Sequence, residues 1–547
     1  MHRPATLARP RHPLVLLSTA LLAVLGCSTA ADGREGPSDG GTAGVGGSAG
    51  AGGQGGNAPV GAVSLVFAHG ENLYGALVDS PGETRRLSDI QGSEDQLAHF
   101  EVSPDGRFVA YLASRRDPEC CRQQLMVTSL GRIAEPVRID EPPGSIERVE
   151  DDFAWSPDAA RLAYRAYQSE GAFLSGDLQV FTSQPDGNNK TQVSADGIDV
   201  SNSPNGAIAW SPDGSRIAYP GYERPLLRSV LHTNAWSGDS DRQVAGKLTF
   251  DFKWRSDGAV IAYAARNSED IIALFTNDAM GASETEISAP LHQTGVESYA
   301  WSPDGSRIAY MSESEDGIVG LYSRAADGSD ERDMTGELQW TGVLEFQWSF
   351  DGSRLAYLAT QDREDQWDLY TTEADGSGNT RISSAPEDKS IGSFHWSPTG
   401  DWIAFEVSSI ADGANSVFVS AGSGSLRRKL NLPGREARMG YGNEETPWSP
   451  NGEHLAFHEW NEIGNTALVT NRRDGNERRV VWEELEIRGR GVSGDYRWSP
   501  DSERIAYRAD KDEPNLLELY TGARDGSDNQ KVSMPGFEAA TGFQWVP

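Results

Sequence analysis

The chain has 547 residues, of which 81 are acidic and 48 are basic, so its formal net charge is −33. This charge excludes a nucleic-acid-binding function, because the protein would be repelled by phosphate groups. Solubility explains the acidity, and attraction of a basic partner or of cations is a second explanation. The 60 glycines and 28 prolines fit a loop-rich, all-β protein.

Residues 1–26 have the layout of an export signal. Arginines 3, 9 and 11 precede an apolar stretch at residues 14–25, which is too short to span a bilayer, and the stretch ends in Leu25-Gly26-Cys27. This segment resembles a bacterial lipoprotein signal, which implies lipidation of Cys27 after cleavage. A plain secretory signal is the alternative, and by the same resemblance Ser28 favours sorting to the outer membrane.

Residues 27–60 are predicted to form a flexible tether. The segment is rich in glycine and has almost no apolar bulk, so it cannot bury enough surface to fold. A chain of this length has a root-mean-square reach of about 30 Å. Gly46-Gly47-Ser48-Ala49-Gly50 matches the G-x-S-x-G hydrolase elbow, but this tether supplies neither the strand before it nor the helix after it.

Residues 61–547 are organised as repeats. A Trp-Ser-Pro-Asp-Gly phrase or a close variant recurs at intervals of about 49 residues, a period typical of stacked supersecondary units. In the copy at residues 299–310, Tyr299 and Trp301 share one face of a strand, Ser302 to Gly305 form a turn, and Arg307 to Tyr310 return as a second strand. A second hairpin with Asp-Gly follows in most copies. Four strands per unit indicate a propeller blade.

The phrase W-S-P-D-G-x-x-[IL]-A-[YF], followed by L-Y and a later D-G, resembles the WD-like repeat of the TolB-like β-propeller family. The resemblance covers roughly residues 61–547. It implies a propeller fold. It specifies no function, since such blades occur in binding proteins, peptidase gate domains and a few lyases.

The two ends of the repeat region complement each other. Residues 61–98 contain three segments that resemble the last three strands of a blade, and Phe543-Gln544-Trp545 resembles a first strand. Pairing them would complete one composite blade and hide two sheet edges. The predicted fold is therefore an all-β propeller of about ten four-stranded blades, closed by its terminal strands, with two smaller propellers as the alternative.

The residue before each repeat Trp is a candidate for lining the axial channel. If the first strand of each blade is innermost, polar side chains at this position ring the channel; exposure at strand ends is the equal alternative. The polar members are Glu101, Lys253, Gln347, His395, Arg497 and Gln544.

A partner is predicted to bind the rim opposite the Pro-Asp-Gly turns, because the longer connections gather there. These connections are expected at residues 114–123, 167–177, 432–445 and 482–495. The candidate contact residues in or beside them are Arg116, Tyr167, Tyr441 and Glu486.

The sequence predicts no catalytic residues, cofactor or metal site. His454 and His458 lie four residues apart on a returning strand, too far apart to share one ion, and are expected to face a neighbouring blade. The adjacent Cys120 and Cys121 are consistent with a surface loop, a vicinal disulfide, an intermolecular bridge or free thiols.

Three functions are compatible with these features. The first is a monomeric, non-enzymatic protein that is anchored to the envelope by lipid and binds a protein, peptide or envelope polymer. The second is a metal-assisted lyase or hydrolase with its site at the channel mouth. The third is a structural envelope protein. The first is favoured, with the anchor in the outer membrane and the propeller facing the periplasm or the cell surface.

Overall fold

The computed structural model describes residues 63–547 except for a set of short gaps. These gaps are residues 78–82, 91–95, 118–119, 141–145, 169–177, 201–207, 224–227, 247, 289–294, 315, 337, 339, 365, 384–388, 410–413, 441–445, 484–490, 513–514 and 534–538. The predicted signal and tether, including Cys27, lie outside the described residues.

The described residues form 41 β-strands. The first eleven are β1 (Val63–His69), β2 (Asn72–Leu77), β3 (Thr84–Arg86), β4 (Gln96–Val102), β5 (Phe108–Asp117), β6 (Cys120–Ser129), β7 (Val137–Arg138), β8 (Ile146–Trp155), β9 (Leu162–Gln168), β10 (Leu178–Ser183) and β11 (Thr191–Gln192). Next come β12 (Ile198–Asp199), β13 (Ala209–Trp210), β14 (Arg216–Glu223), β15 (Arg228–Ala235), β16 (Arg242–Ala245), β17 (Leu248–Trp254), β18 (Val260–Arg266), β19 (Ile272–Asp278) and β20 (Thr285–Glu286).

The second half of the chain continues the series. It contains β21 (Val296–Trp301), β22 (Arg307–Glu313), β23 (Val319–Ala325), β24 (Arg332–Asp333), β25 (Val343–Trp348), β26 (Arg354–Ala359), β27 (Asp368–Glu373), β28 (Thr380–Arg381), β29 (Lys389–Trp396), β30 (Trp402–Ser409), β31 (Asn415–Ala421) and β32 (Arg427–Lys429). The last strands are β33 (Arg435–Arg438), β34 (His454–Asn461), β35 (Thr466–Arg472), β36 (Arg479–Glu483), β37 (Val492–Trp498), β38 (Arg504–Ala509), β39 (Glu518–Ala523), β40 (Gln530–Lys531) and β41 (Ala539–Trp545).

These strands form ten antiparallel sheets, which we number as blades 1 to 10 along the chain. Blades 1 to 9 begin at β4, β8, β12, β17, β21, β25, β29, β33 and β37, and each runs to the strand before the next blade. Blade 10 has the order β3-β2-β1-β41, so it combines both ends of the chain. Ten hydrophobic clusters each join two neighbouring sheets, including blade 10 with blades 9 and 1. The prediction of one closed ten-bladed ring is confirmed.

The repeat phrase builds the first hairpin of a blade as expected. In blade 5 the N–H of Gly305 donates to the Ser302 carbonyl at 2.8 Å, and Gly305 has a φ of +67°, which favours glycine. The Ser302 hydroxyl donates to Asp304 at 2.6 Å and accepts from the N–H of Arg307 at 3.0 Å. The turn thus satisfies its own polar groups. Ala309 on the second strand is fully buried and lets the next blade approach.

Two expectations about connections need correction. Residues 114–123 are mostly strand, because β5 and β6 extend to Asp117 and from Cys120 and pair to their ends. Residues 432–445 contain β33, which forms the beginning of the first strand of blade 8. The other end of that strand is the bridge between Trp448 and Leu455. Blade 3 is interrupted in the same way, since β12 and β13 both pair with β14. Insertions in these two blades split a strand that is continuous in the others.

Candidate functional site

The ring has two unlike edges. We call the edge with the Ser-Pro-Asp-Gly turns and the later Asp-Gly turns the near rim. The opposite edge, which carries the connections from second to third strands and from blade to blade, is called the far rim. The first strand of each blade therefore starts at the far rim and ends at the near rim.

Tryptophan side chains join the first strands of neighbouring blades. In nine junctions the indole N–H donates to the carbonyl of the residue before the Trp position in the preceding blade, at 2.9–3.3 Å. The pairs are Trp155 with Glu101, Trp210 with Ala154, Trp254 with Ala209, Trp301 with Lys253, Trp348 with Ala300, Trp396 with Gln347, Trp448 with His395, Trp498 with Pro447 and Trp545 with Arg497. We call these bonds the Trp latches.

The tenth junction has no Trp, because blade 1 carries Val102 at that position. Here the N–H of Val102 donates to the side-chain oxygen of Gln544 at 2.9 Å. The glutamine side chain therefore supplies a polar link where the indole is missing. The two chain ends meet at this junction and at the pairing of β1 with β41.

The six predicted channel residues occupy equivalent positions on first strands and are all partly exposed. Three of them contact the next blade around the ring. Lys253 donates to the Tyr299 carbonyl at 2.8 Å, and Arg497 lies 5.6 Å from the ring centre of Phe543. Gln544 makes the bond to Val102. Side chains at this position therefore help to join neighbouring blades. That they line the channel stays a prediction.

Two of these residues sit in surroundings that disfavour charge. Burial raises the pKa of Glu101 to about 7. Burial lowers the pKa of His395 to about 4. Both side chains are therefore biased toward their neutral forms.

The first strands carry a second set of polar residues, which the sequence-based predictions did not include. Asp251, Glu345 and Asp495 each lie two positions before a channel residue, in the pattern acidic-aromatic-x-Trp, and thus share its strand face. Asp251 accepts from the Tyr299 hydroxyl at 2.5 Å, and Asp495 pairs with Arg508. Burial raises the pKa of Glu345. The repeated pattern itself was the signal that could have identified them.

β-Bulges shape the far-rim ends of the first strands. The pairing of the first strand is irregular in blades 1, 2, 4, 5, 6, 7 and 9, and β41 is irregular against β1 in blade 10. A bulge adds residues to one strand and redirects its side chains. Glu297 and Leu344 are exposed in such bulges of blades 5 and 6, at the far rim.

No described contact joins the four residues that were predicted to bind a partner. Tyr441 and Glu486 lie outside the described residues, and so does the side chain of Arg116, whose backbone pairs with Cys121 in β5 and β6. Tyr167 is half-buried against the core between blades 2 and 3 and is not a fully exposed aromatic. Their role in binding stays a prediction.

The two candidate histidines face blade 9, as expected. His454 lies in hydrogen-bond contact with Arg524 at 3.2 Å, and the ring of His458 lies 5.4 Å from that of Tyr496. A near-rim cavity of about 250 Å³ adjoins His454 and is lined also by Arg479, Glu503 and other polar residues. His454 stands where blades 2, 3, 5, 6 and 9 carry arginine. Burial lowers the pKa of His454.

The described residues contain neither a cluster of metal-ligating side chains nor a helix that could span a membrane. No group of three or more His, Cys, Asp or Glu side chains among them is arranged to hold a metal ion. In that same part of the chain, no helix has the length and apolar character needed to cross a membrane.

The comparisons with known proteins agree with this architecture. The family described as TolB beta propeller domain matches residues 174–438. A crystal structure of a eukaryotic initiation factor aligns with a TM-score of 0.51 and 10% identity, covering 89% of this chain and 99% of that chain. At that identity the likeness shows the fold alone.

Two further structures align with lower scores. An oligogalacturonate lyase in complex with manganese has a TM-score of 0.34 and 13% identity, covering 58% of this chain and 87% of that one. A TolB protein from Agrobacterium tumefaciens has a TM-score of 0.27 and 17% identity, covering 60% of this chain and 90% of that one. No curated protein matches the sequence significantly.

Proposed function

The chain is a TolB-like β-propeller, and from this premise we propose that it is a non-enzymatic binding protein of the cell envelope. Its partner is a protein, a peptide or an envelope polymer, which the monomeric ring binds through the far rim. The propeller is held at the membrane by lipid on Cys27, in the outer membrane and facing the periplasm or the cell surface. The acidic charge argues against nucleic acid as the partner.

The difference between the two rims carries this proposal. Near-rim turns such as Ser302 to Gly305 use their polar groups on their own backbone, so they offer few free groups to a partner. The far rim carries longer connections and redirected bulge residues on a closed scaffold. Binding residues are commonly found on loops that a rigid scaffold positions.

The contacts of the channel residues also support a binding role. Lys253 and Arg497 pack against aromatic rings of the next blade, and Gln544 links the chain ends. These side chains stabilise the ring through contacts between blades. The lyase or hydrolase is an outcome of the test that follows.

The binding function can be tested by site-specific photo-cross-linking in cells. A photoreactive residue at Asp316, exposed on the far rim, should give discrete adducts, whereas one at Met280, exposed in a near-rim turn of the preceding blade, should give none. The adducts are identified by mass spectrometry. Adducts from Met280 alone would place binding on the wrong rim. Absence of adducts would favour the metal-assisted lyase or hydrolase if the purified protein also contained metal and cleaved a polysaccharide.

The anchor can be tested separately by Cys27→Ala. This variant should leave the membrane fraction or accumulate unprocessed, because it lacks the residue that carries the lipid. Fractionation and mass spectrometry of the mature N-terminus report the result, with Ser28→Ala as the matched control that keeps the cysteine. A wild-type chain that is exported without lipid would rule out the anchor.

A further inference from the structure

One connection at the far rim presents a tryptophan to solvent. Trp340 lies between β24 of blade 5 and β25 of blade 6, and its side chain is 36% exposed. Its φ is +65°, in the left-handed region, which is unfavourable for a residue with a Cβ atom. Other apolar residues of this connection, Met334 and Leu338, are buried or half-buried in the core between the two blades. Trp340 is therefore held away from that core.

The backbone next to Trp340 is fixed to both blades. Gly342 bridges to Val319 of blade 5, and a Cβ atom on it would lie 2.2 Å from the Val319 carbonyl oxygen. On the blade 6 side, the N–H of Gly342 donates to the Thr360 hydroxyl at 3.2 Å, and the Gly342 carbonyl accepts from the N–H of Thr360 at 3.1 Å. The indole is thus presented from a well-anchored segment, and a preorganised contact loses less entropy on binding.

Leu344 adds a second exposed apolar side chain close by. It occupies the bulge at the start of β25 and is 54% exposed. The equivalent bulge position in blade 5 is Glu297, so a leucine here departs from the polar character of its neighbour. Trp340 and Leu344 lie on either side of the anchored Gly342 in the sequence, and we call these two exposed residues the Trp340 patch.

Blade 5 presents two exposed acidic residues at the same rim. Glu297 occupies the position that matches Leu344, and Asp316 lies three residues before Val319, the bridge partner of Gly342. The described cations at the far rim of blade 6 include Arg363 and Arg381, which pair with the buried Asp368. Lys389 begins β29 of blade 7. Exposed apolar residues with acidic residues at the same rim are complementary to a cationic partner with an apolar anchor.

We propose that the Trp340 patch is the docking point for a cationic peptide segment that carries an apolar or aromatic anchor residue. The anchor packs on the indole and Leu344, and lysines or arginines beside it approach Glu297 and Asp316. Tryptophan is strongly enriched among residues that dominate binding energy. This inference rests on the proposed function, because it names the chemistry of a partner for the far rim.

The test uses the purified full chain and synthetic peptides of one length. The first peptide is lysine-rich with a central Leu-Trp pair, the second replaces that pair by serines, and the third replaces the lysines by glutamates. Only the first should bind in fluorescence anisotropy, and its affinity should fall as added salt screens the charges. Trp340→Ala should weaken binding by about tenfold or more, as expected for a hot-spot residue.

Trp236→Ala provides the matched control, because Trp236 is similarly exposed at 39% but lies on the near rim. Trp236→Ala should bind the first peptide with the affinity of the wild type. Equal melting temperatures of Trp236→Ala and Trp340→Ala would exclude unfolding as the cause of weaker binding by Trp340→Ala. Equal peptide affinity of Trp340→Ala and wild type, or no binding of the first peptide, would overturn the inference. If either of these two results were accompanied by far-rim adducts from Asp316, the inference would be wrong and the proposed function would stand. Absence of those adducts would overturn the proposed function itself.

Discussion

Deleting residues 541–547 is expected to abolish the stable ring. The deletion removes most of β41, with the buried Phe543, the Trp545 latch and the bond from Val102 to Gln544. Loss of one large buried aromatic side chain alone costs about 3–5 kcal/mol, and domains are stable by only about 5–15 kcal/mol. The deletion also exposes the apolar edge of β1 to pairing with other chains.

Thermal unfolding and size-exclusion chromatography measure this result. We expect a strongly lowered melting temperature and aggregation. Removal of Pro547 alone is the control, because this exposed residue lies beyond β41 and should leave the melting temperature almost unchanged. A seven-residue deletion that melts like the wild type and stays monomeric would show that the chain ends do not close the ring.

Trp448→Ala should produce the second-largest loss of stability. Trp448 is 1% exposed, packs in the core between blades 7 and 8, and donates to the His395 carbonyl at 3.0 Å. Truncation leaves a cavity and removes the latch, so we expect a loss of about 3–5 kcal/mol. Trp448→Phe keeps most of the ring packing and removes the N–H donor, for an expected loss of about 1–3 kcal/mol.

Urea unfolding followed by circular dichroism measures both variants. Trp236→Ala serves as the control, because this exposed indole stacks under Arg161 at 3.8 Å and should contribute only about 0.5–1 kcal/mol. If Trp448→Ala and Trp236→Ala lowered the unfolding midpoint equally, the latches would not be major contributors to the ring.

The sequence was a good guide to the fold and a limited guide to the site. The six channel positions could be selected because each precedes a repeat Trp, and the structure places all six at one level of the first strands. The acidic residues two positions earlier followed an equally regular pattern but were not recognised. Trp340 carried no such signal, since its exposure depends on the anchoring of Gly342 against Val319 in another blade.

The sequence by itself determined the repeat unit, the short turns and the complementary ends. These features are local, because a Ser-Pro-Asp-Gly turn satisfies its own hydrogen bonds and Asp-Gly specifies a hairpin within a few residues. Only the tertiary structure decided between one ring and two, since blade number depends on how each of ten interfaces packs against the next. It also decided the split first strands of blades 3 and 8, the direction of the Trp latches and the outward position of Trp340. Each of these depends on contacts between blades, which residue spacing within a single blade does not specify.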